Sequence, residues 1–214
     1  MDVSRAFTAV AVAAVLVTTA CAAEPDPTEP GASDSATVEG AKTPEGASTG
    51  TTATALDPSY AVEAPGKRTG ALGAADILIT AKDTLSADLV QQIEALDGVQ
   101  AATTISLANV PLENKVYNLA AVDPAEYRRF TSQQSADLQA QWDRVAAGEV
   151  AVSSTLRKQL PVGKDGVLRL GAAQGADVHV GAWAPQAEKV DLVVNRKRGE
   201  ALGMVPDNAL LIAT

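Results

Sequence analysis

One cysteine and one histidine are all that 214 residues contain of either type. A lone thiol cannot close an intramolecular disulfide, and a lone imidazole excludes any metal site built on several histidines. Aromatic residues are scarce at 3%, so a core has to be built from Val, Leu, Ile and Ala. Basic residues are outnumbered, 17 against 26 acidic, for a net charge of −9. That balance argues against nucleic acid, whose binders gather Lys and Arg to neutralise phosphates. It argues equally against electrostatic docking on anionic lipid.

What the chain does have begins at its N-terminus. Arg5 is the only basic side chain in a short polar start, and Ala6 to Ala20 is apolar or small. That run is short for a bilayer-crossing helix, which needs roughly 20 residues, and it fits the apolar core of a signal peptide over residues 1–20. The single thiol follows directly, in Val17-Thr18-Thr19-Ala20-Cys21. This resembles the lipobox of bacterial lipoproteins, with Ala20 and Thr19 as the small residues before the cysteine and Thr18 in place of the usual Leu. The resemblance implies a diacylated Cys21 as the new N-terminus and a chain anchored to the membrane on the outer face of the cell envelope. Several acyl chains hold a protein on a bilayer far better than one. Ala20-Cys21-Ala22 also satisfies a small-x-small cleavage pattern, so plain secretion with loss of Cys21 is the alternative.

Residues 21–66 change character. From Ala22 to Gly66 the chain holds six of the eleven prolines and eight acidic residues against the single basic Lys42. Low hydrophobicity with high net charge leaves too little apolar surface to offset the entropy of ordering, so a disordered acidic, Pro-rich linker is expected. A flexible chain of that length spans about 40 Å on average. The remainder, residues 67–214, is one domain by size, with 17 acidic residues facing 15 basic ones.

Patterning within that domain predicts an α+β fold: one mixed domain of short strands with two to four helices. Asp76–Thr80 reads as a strand, and Ser86 as the cap of a helix that Asp97-Gly98 ends. Leu89, Val90, Ile93 and Leu96 fall on one face of that helix. Val99–Val110 and Lys115–Val122 read as strands, and Asp123-Pro124-Ala125-Glu126 as a helix start. A further helix is expected over Ala136–Ala146, then a strand over Glu149–Val152 and a short helix capped by Ser154. Strands close the list at Val167–Leu170, Ala176–Ala184, Lys189–Val194 and Ala209–Ile212. The order lacks a strict βαβ rhythm, which favours α+β over a doubly wound sheet.

Chemistry is harder to find. His179 sits mid-strand in Asp177-Val178-His179-Val180, a position more typical of a half-buried side chain than of a base. Ser153-Ser154 follows a strand without the glycines of a nucleophile elbow. Gly163-Lys164-Asp165-Gly166 lacks the spacing of a phosphate loop and reads as a turn. Arg196-Lys197-Arg198 reads as a solvated helix start. No catalytic, cofactor-binding or metal-ligating residue is nominated, and no cofactor. The candidate partner contacts are the aromatics Tyr127, Phe130, Trp142 and Trp183, each of which is also a candidate for the core.

Several segments together carry a second resemblance. They are Leu96-Asp97-Gly98-Val99, Val122-Asp123-Pro124-Ala125-Glu126-Tyr127, and Gly148-Glu149-Val150-Ala151-Val152-Ser153 with the following turn at Gly163. Over roughly residues 76–184 they look like the extracytoplasmic core domain of export permeases of the lipoprotein-release and macrolide-export type. The resemblance implies a mixed α+β domain that contacts partner proteins or apolar cargo, with no catalytic residues. Those permeases also have four membrane helices and an ATPase, which are missing here. The expectation is a non-enzymatic envelope lipoprotein that binds a protein partner or wall component. The alternative is an accessory region of a longer cell-wall peptidase continuing past Thr214, and a solute-binding lipoprotein is a third, disfavoured by size.

Overall fold

Alternating apolar side chains draw eight strands into one mixed sheet. The computed structural model of the chain describes residues 57–170 and 175–214, within the compact unit Thr49–Thr214. The expected signal peptide, Cys21 and the expected linker as far as residue 56 lie outside the described residues. The strands are β1 (Ile77–Thr80), β2 (Ala101–Leu112), β3 (Lys115–Val122), β4 (Val150–Val152), β5 (Val167–Leu170), β6 (Ala176–Trp183), β7 (Leu192–Asn195) and β8 (Ala209–Ala213). Their order is β1-β8-β2-β3-β7-β4-β6-β5. The pairs β3–β7 and β4–β6 are parallel and the remaining five are antiparallel. The chain is a single α+β domain over these residues.

Five α-helices accompany the sheet: α1 (Ala87–Glu94), α2 (Pro124–Tyr127), α3 (Gln133–Ala136), α4 (Gln139–Ala146) and α5 (Arg196–Ala201). That is one more than the upper expectation. The helix expected after Ser154 is a single 3-10 turn, Ser154–Leu156, with no side-chain cap, while Asn195 caps α5 by accepting the Arg198 N–H at 2.8 Å. Asp123 starts α2 as its Asp-Pro sequence predicts, accepting from Ala125 N at 2.8 Å and Glu126 N at 3.3 Å. No helix among the described residues is long and apolar enough to cross a membrane.

Strand β2 is the pivot. Its first half, Ala101–Ile105, pairs with β8, and its second half, Ser106–Leu112, pairs with β3. Asn208 fills the fork between the two ladders: its side chain accepts from Leu107 N at 2.7 Å and donates to Leu107 O at 3.0 Å. Two apolar clusters result, one on each face. Leu119, Val150, Val152, Leu168, Leu192 and Val194 belong to one, and Val122, Tyr127, Trp142, Val193 and Leu211 to the other. On the first face Gly199 brings α5 against β3 so closely that any Cβ there would collide with the Ala121 methyl.

The fold takes in residues that composition assigns to the linker. Asn195 donates to the Tyr60 carbonyl at 2.8 Å, Val62 N donates to Ala146 O at 2.8 Å, and Arg128 donates to Gly66 O at 2.9 Å. Packing therefore begins before Lys67, because backbone hydrogen bonding and one stacked tyrosine hold a segment that has few apolar side chains.

Candidate functional site

Helix α1 follows the pattern of an amphipathic helix, yet none of its residues is buried. Ser86 caps it, accepting from Leu89 N at 3.3 Å. Its flanks are tied to the two ends of β8: Leu85 N donates to Asp207 O at 2.9 Å, and Gln100 N to Ala213 O at 2.8 Å. Leu210 and Ile212, on the face of β8 opposite Leu211, are buried but lie outside both core clusters. Along α1 and the turn after it, Val90 and Ile93 are half-buried, while Leu89 and Leu96 are 41% and 59% exposed.

Strand β1, which precedes this helix in the chain, lies at the end of the sheet. It pairs with β8 alone, Ile77 opposite Ile212 and Thr80 opposite Ala209. Its outer edge has no strand against it among the described residues, and Ile77 is 45% exposed. Ile77, Leu89 and Leu96 are half of the six large apolar side chains that stand exposed among the described residues. Scattered exposed apolar residues are ordinary. Here three of the six fall in one stretch of the chain, from β1 to the turn after α1.

A second cluster is polar. Glu149, at the start of β4, is buried and receives Arg144 Nε at 2.6 Å. His179 Nδ1 on β6 faces the same carboxylate oxygen at 3.5 Å. The pocket over them, about 230 Å³, is lined also by Asp57, Asp177 and Arg198, and holds no Ser, Thr or Cys. The arrangement supplies an acid–imidazole pair without a nucleophile. Among the described residues no three potential ligands of the His, Cys, Asp or Glu type gather to hold a metal ion.

Of the two readings open for the aromatics, burial decides three for the core. Tyr127 and Trp142 are fully buried, stacked edge to face with centroids 5.9 Å apart. Their polar atoms are satisfied inside: Trp142 donates to Ser135 O at 2.8 Å, and Tyr127 Oη accepts from Ala187 N at 3.2 Å. Burial pushes the Tyr127 phenol up from its ordinary value. Phe130 is buried in the same cluster, so these three are core and not contacts. Trp183 is half-buried against the other cluster, with the Arg157 guanidinium 5.7 Å from its ring centroid. With only seven Phe, Trp and Tyr residues in the chain, the domain spends its largest side chains on packing.

The basic run at the start of α5 is solvated only in part, with Lys197 exposed and Arg196 half-buried. Arg198 is buried, with its guanidinium 3.6 Å from the Tyr60 ring centroid and Nε donating to Gly148 O at 3.1 Å. Burial lowers its pKa from the ordinary value. Arg196 pairs with Asp207 and donates to Thr104 O at 3.0 Å. No protein-family model and no curated protein matches the chain.

Proposed function

We propose that the chain is a non-enzymatic cell-envelope lipoprotein, held on the membrane through Cys21, whose folded domain binds a protein partner or a wall component. The observation that carries the reading is the run of exposed apolar side chains at Ile77, Leu89 and Leu96, together with an outer edge of β1 that no described strand covers. An apolar stripe left in water costs solvation that a partner would relieve, at about 25 cal/mol per Å² of apolar surface covered. The acidic linker, drawn toward neither anionic lipid nor nucleic acid, serves as a spacer between anchor and domain. The likeness to the permease core domain supports the same assignment, since it implies partner contact without catalysis. Glu149 and His179 act in this reading as a structural pair that holds α4 against β6.

The double variant Leu89→Ser/Leu96→Ser tests this. Both side chains are exposed, so the melting temperature should stay within a degree or two. In detergent extracts of native membranes, the unaltered chain should run in a complex larger than itself or sediment with isolated wall. The double variant should run alone. Equal complex formation by both would remove the α1 surface as the basis of function.

A further inference from the structure

We infer that the outer edge of β1 accepts a strand from a partner protein, an extended segment of alternating apolar residues with basic residues at its ends. The inference rests on the binding reading above and specifies its mode. Ala81 N donates to Asn208 O at 2.8 Å on the inner side of β1. Antiparallel ladders alternate, so Ile77 and Ile79 turn their backbone groups toward β8, while Leu78 and Thr80 turn theirs outward. Two N–H and two C=O groups thus stand in line on an edge that no strand among the described residues covers. An extended chain satisfies them with main-chain hydrogen bonds, which a helix or a lipid headgroup cannot do in register.

The two edges of the sheet are treated differently. At the far edge β5 carries the exposed Arg169, paired with Asp177 at 3.1 Å, and follows the charged turn Lys164-Asp165. Charge at an edge is the usual protection against unwanted pairing. The four residues of β1, Ile-Leu-Ile-Thr, carry none. The segment that follows in the chain, α1 and the turn after it, adds the exposed Leu89 and Leu96.

Charge identifies the occupant. Residues 76–98 hold Asp76, Asp83, Asp88, Glu94 and Asp97 against Lys82 alone, a net of −4. From residue 67 onward the whole domain is −2, so the rest of it is +2. The acidity is concentrated around this edge, although one Asp76 oxygen also receives Thr214 N at 2.9 Å. A second copy of the chain would bring the same acidic rim and be repelled, whereas a segment with lysine or arginine at its ends meets opposite charge.

The test uses the full chain, isotope-labelled in detergent, and a synthetic probe, Lys-Lys-Val-Thr-Val-Thr-Val-Lys-Lys. A counterpart has glutamates for the lysines. The lysine probe should bind and slow amide exchange at Leu78 and Thr80 but not at Ile79. Affinity should fall at least tenfold with the glutamate probe, and at least tenfold for Thr80→Pro, which deletes an outward N–H and leaves the inner ladder intact. Equal binding of both probes would overturn the charge assignment. Unchanged binding by Thr80→Pro would overturn strand addition. In that event the wider binding reading still stands if Leu89→Ser/Leu96→Ser releases the native complex, and falls with it if that complex is unaffected. Self-association that rises with concentration and vanishes in Thr80→Pro would overturn the partner in favour of a second copy.

Discussion

The Asn195 side chain donates to the Tyr60 carbonyl at 2.8 Å, joining the end of β7 to a segment more than a hundred residues earlier in the chain. The same amide donates to the Val145 and Ala146 carbonyls, each at 3.0 Å, and its oxygen accepts from Arg198 N. One fully buried side chain therefore satisfies the C-terminal turn of α4, the N-terminus of α5 and the strap at Tyr60 together.

Replacing Asn195 by Ala leaves these groups buried without partners. Each unsatisfied buried polar group costs about 1–3 kcal/mol. Asn195→Ala is expected to lower stability by roughly 3–4 kcal/mol, more than the ordinary range for one substitution. Denaturant unfolding measures it; a loss under about 1 kcal/mol would mean that the strap is held by other contacts.

Trp142 separates the two roles considered for the aromatics. As a fully buried ring with its N–H bonded internally, Trp142→Ala should cost about 3–5 kcal/mol. Val116→Ser, at an exposed site on β3, should cost under about 1 kcal/mol. Comparable losses in the two variants would contradict the interior placement of Trp142.

At Gly199 two effects oppose each other. Alanine favours a helix over glycine by roughly 1 kcal/mol, but the added methyl would meet the Ala121 Cβ on β3. Overpacking of that kind costs about 1–3 kcal/mol, so Gly199→Ala should be destabilising. A raised melting temperature would show that α5 can move away from the sheet without penalty.

Which parts of this were legible in the sequence follows from range. Strands such as Ile77–Thr80 and Lys115–Val122 announce themselves by apolar runs and alternation, and Asp123-Pro124 sets a helix start by local chemistry. The class α+β follows from them. The pairing of β1 with β8 and the fork in β2 depend on contacts between residues far apart, which no window reveals. The same holds for Arg128 and Arg198: their charge predicts solvent, and only the carbonyls of Gly66, Ala136 and Gly148 and the ring of Tyr60 make burial affordable. Periodicity does find the stripe of Leu89, Val90, Ile93 and Leu96. What it cannot tell is that half of that stripe is left uncovered. The aromatics mislead for a simple reason, since the same bulk suits a core and an interface.

Arg128 supplies the most direct link between the early segment and the helical layer. Its Nε and Nη1 donate to Ala136 O and Gly66 O at 3.0 and 2.9 Å, and burial lowers its pKa from the ordinary value. Arg128→Met keeps the length and removes the donors. Amide exchange over residues 60–72 should quicken well before global unfolding; protection unchanged there would contradict the link.

Site-specific photo-crosslinking in intact cells tests the account most directly. A photoreactive residue in place of Leu96, exposed in the turn after α1, should form an adduct with a protein or wall fragment. The same residue in place of Lys158, exposed and away from β1, should form none. Adducts at both positions alike, or at Lys158 alone, would contradict a binding surface at the β1–α1 edge.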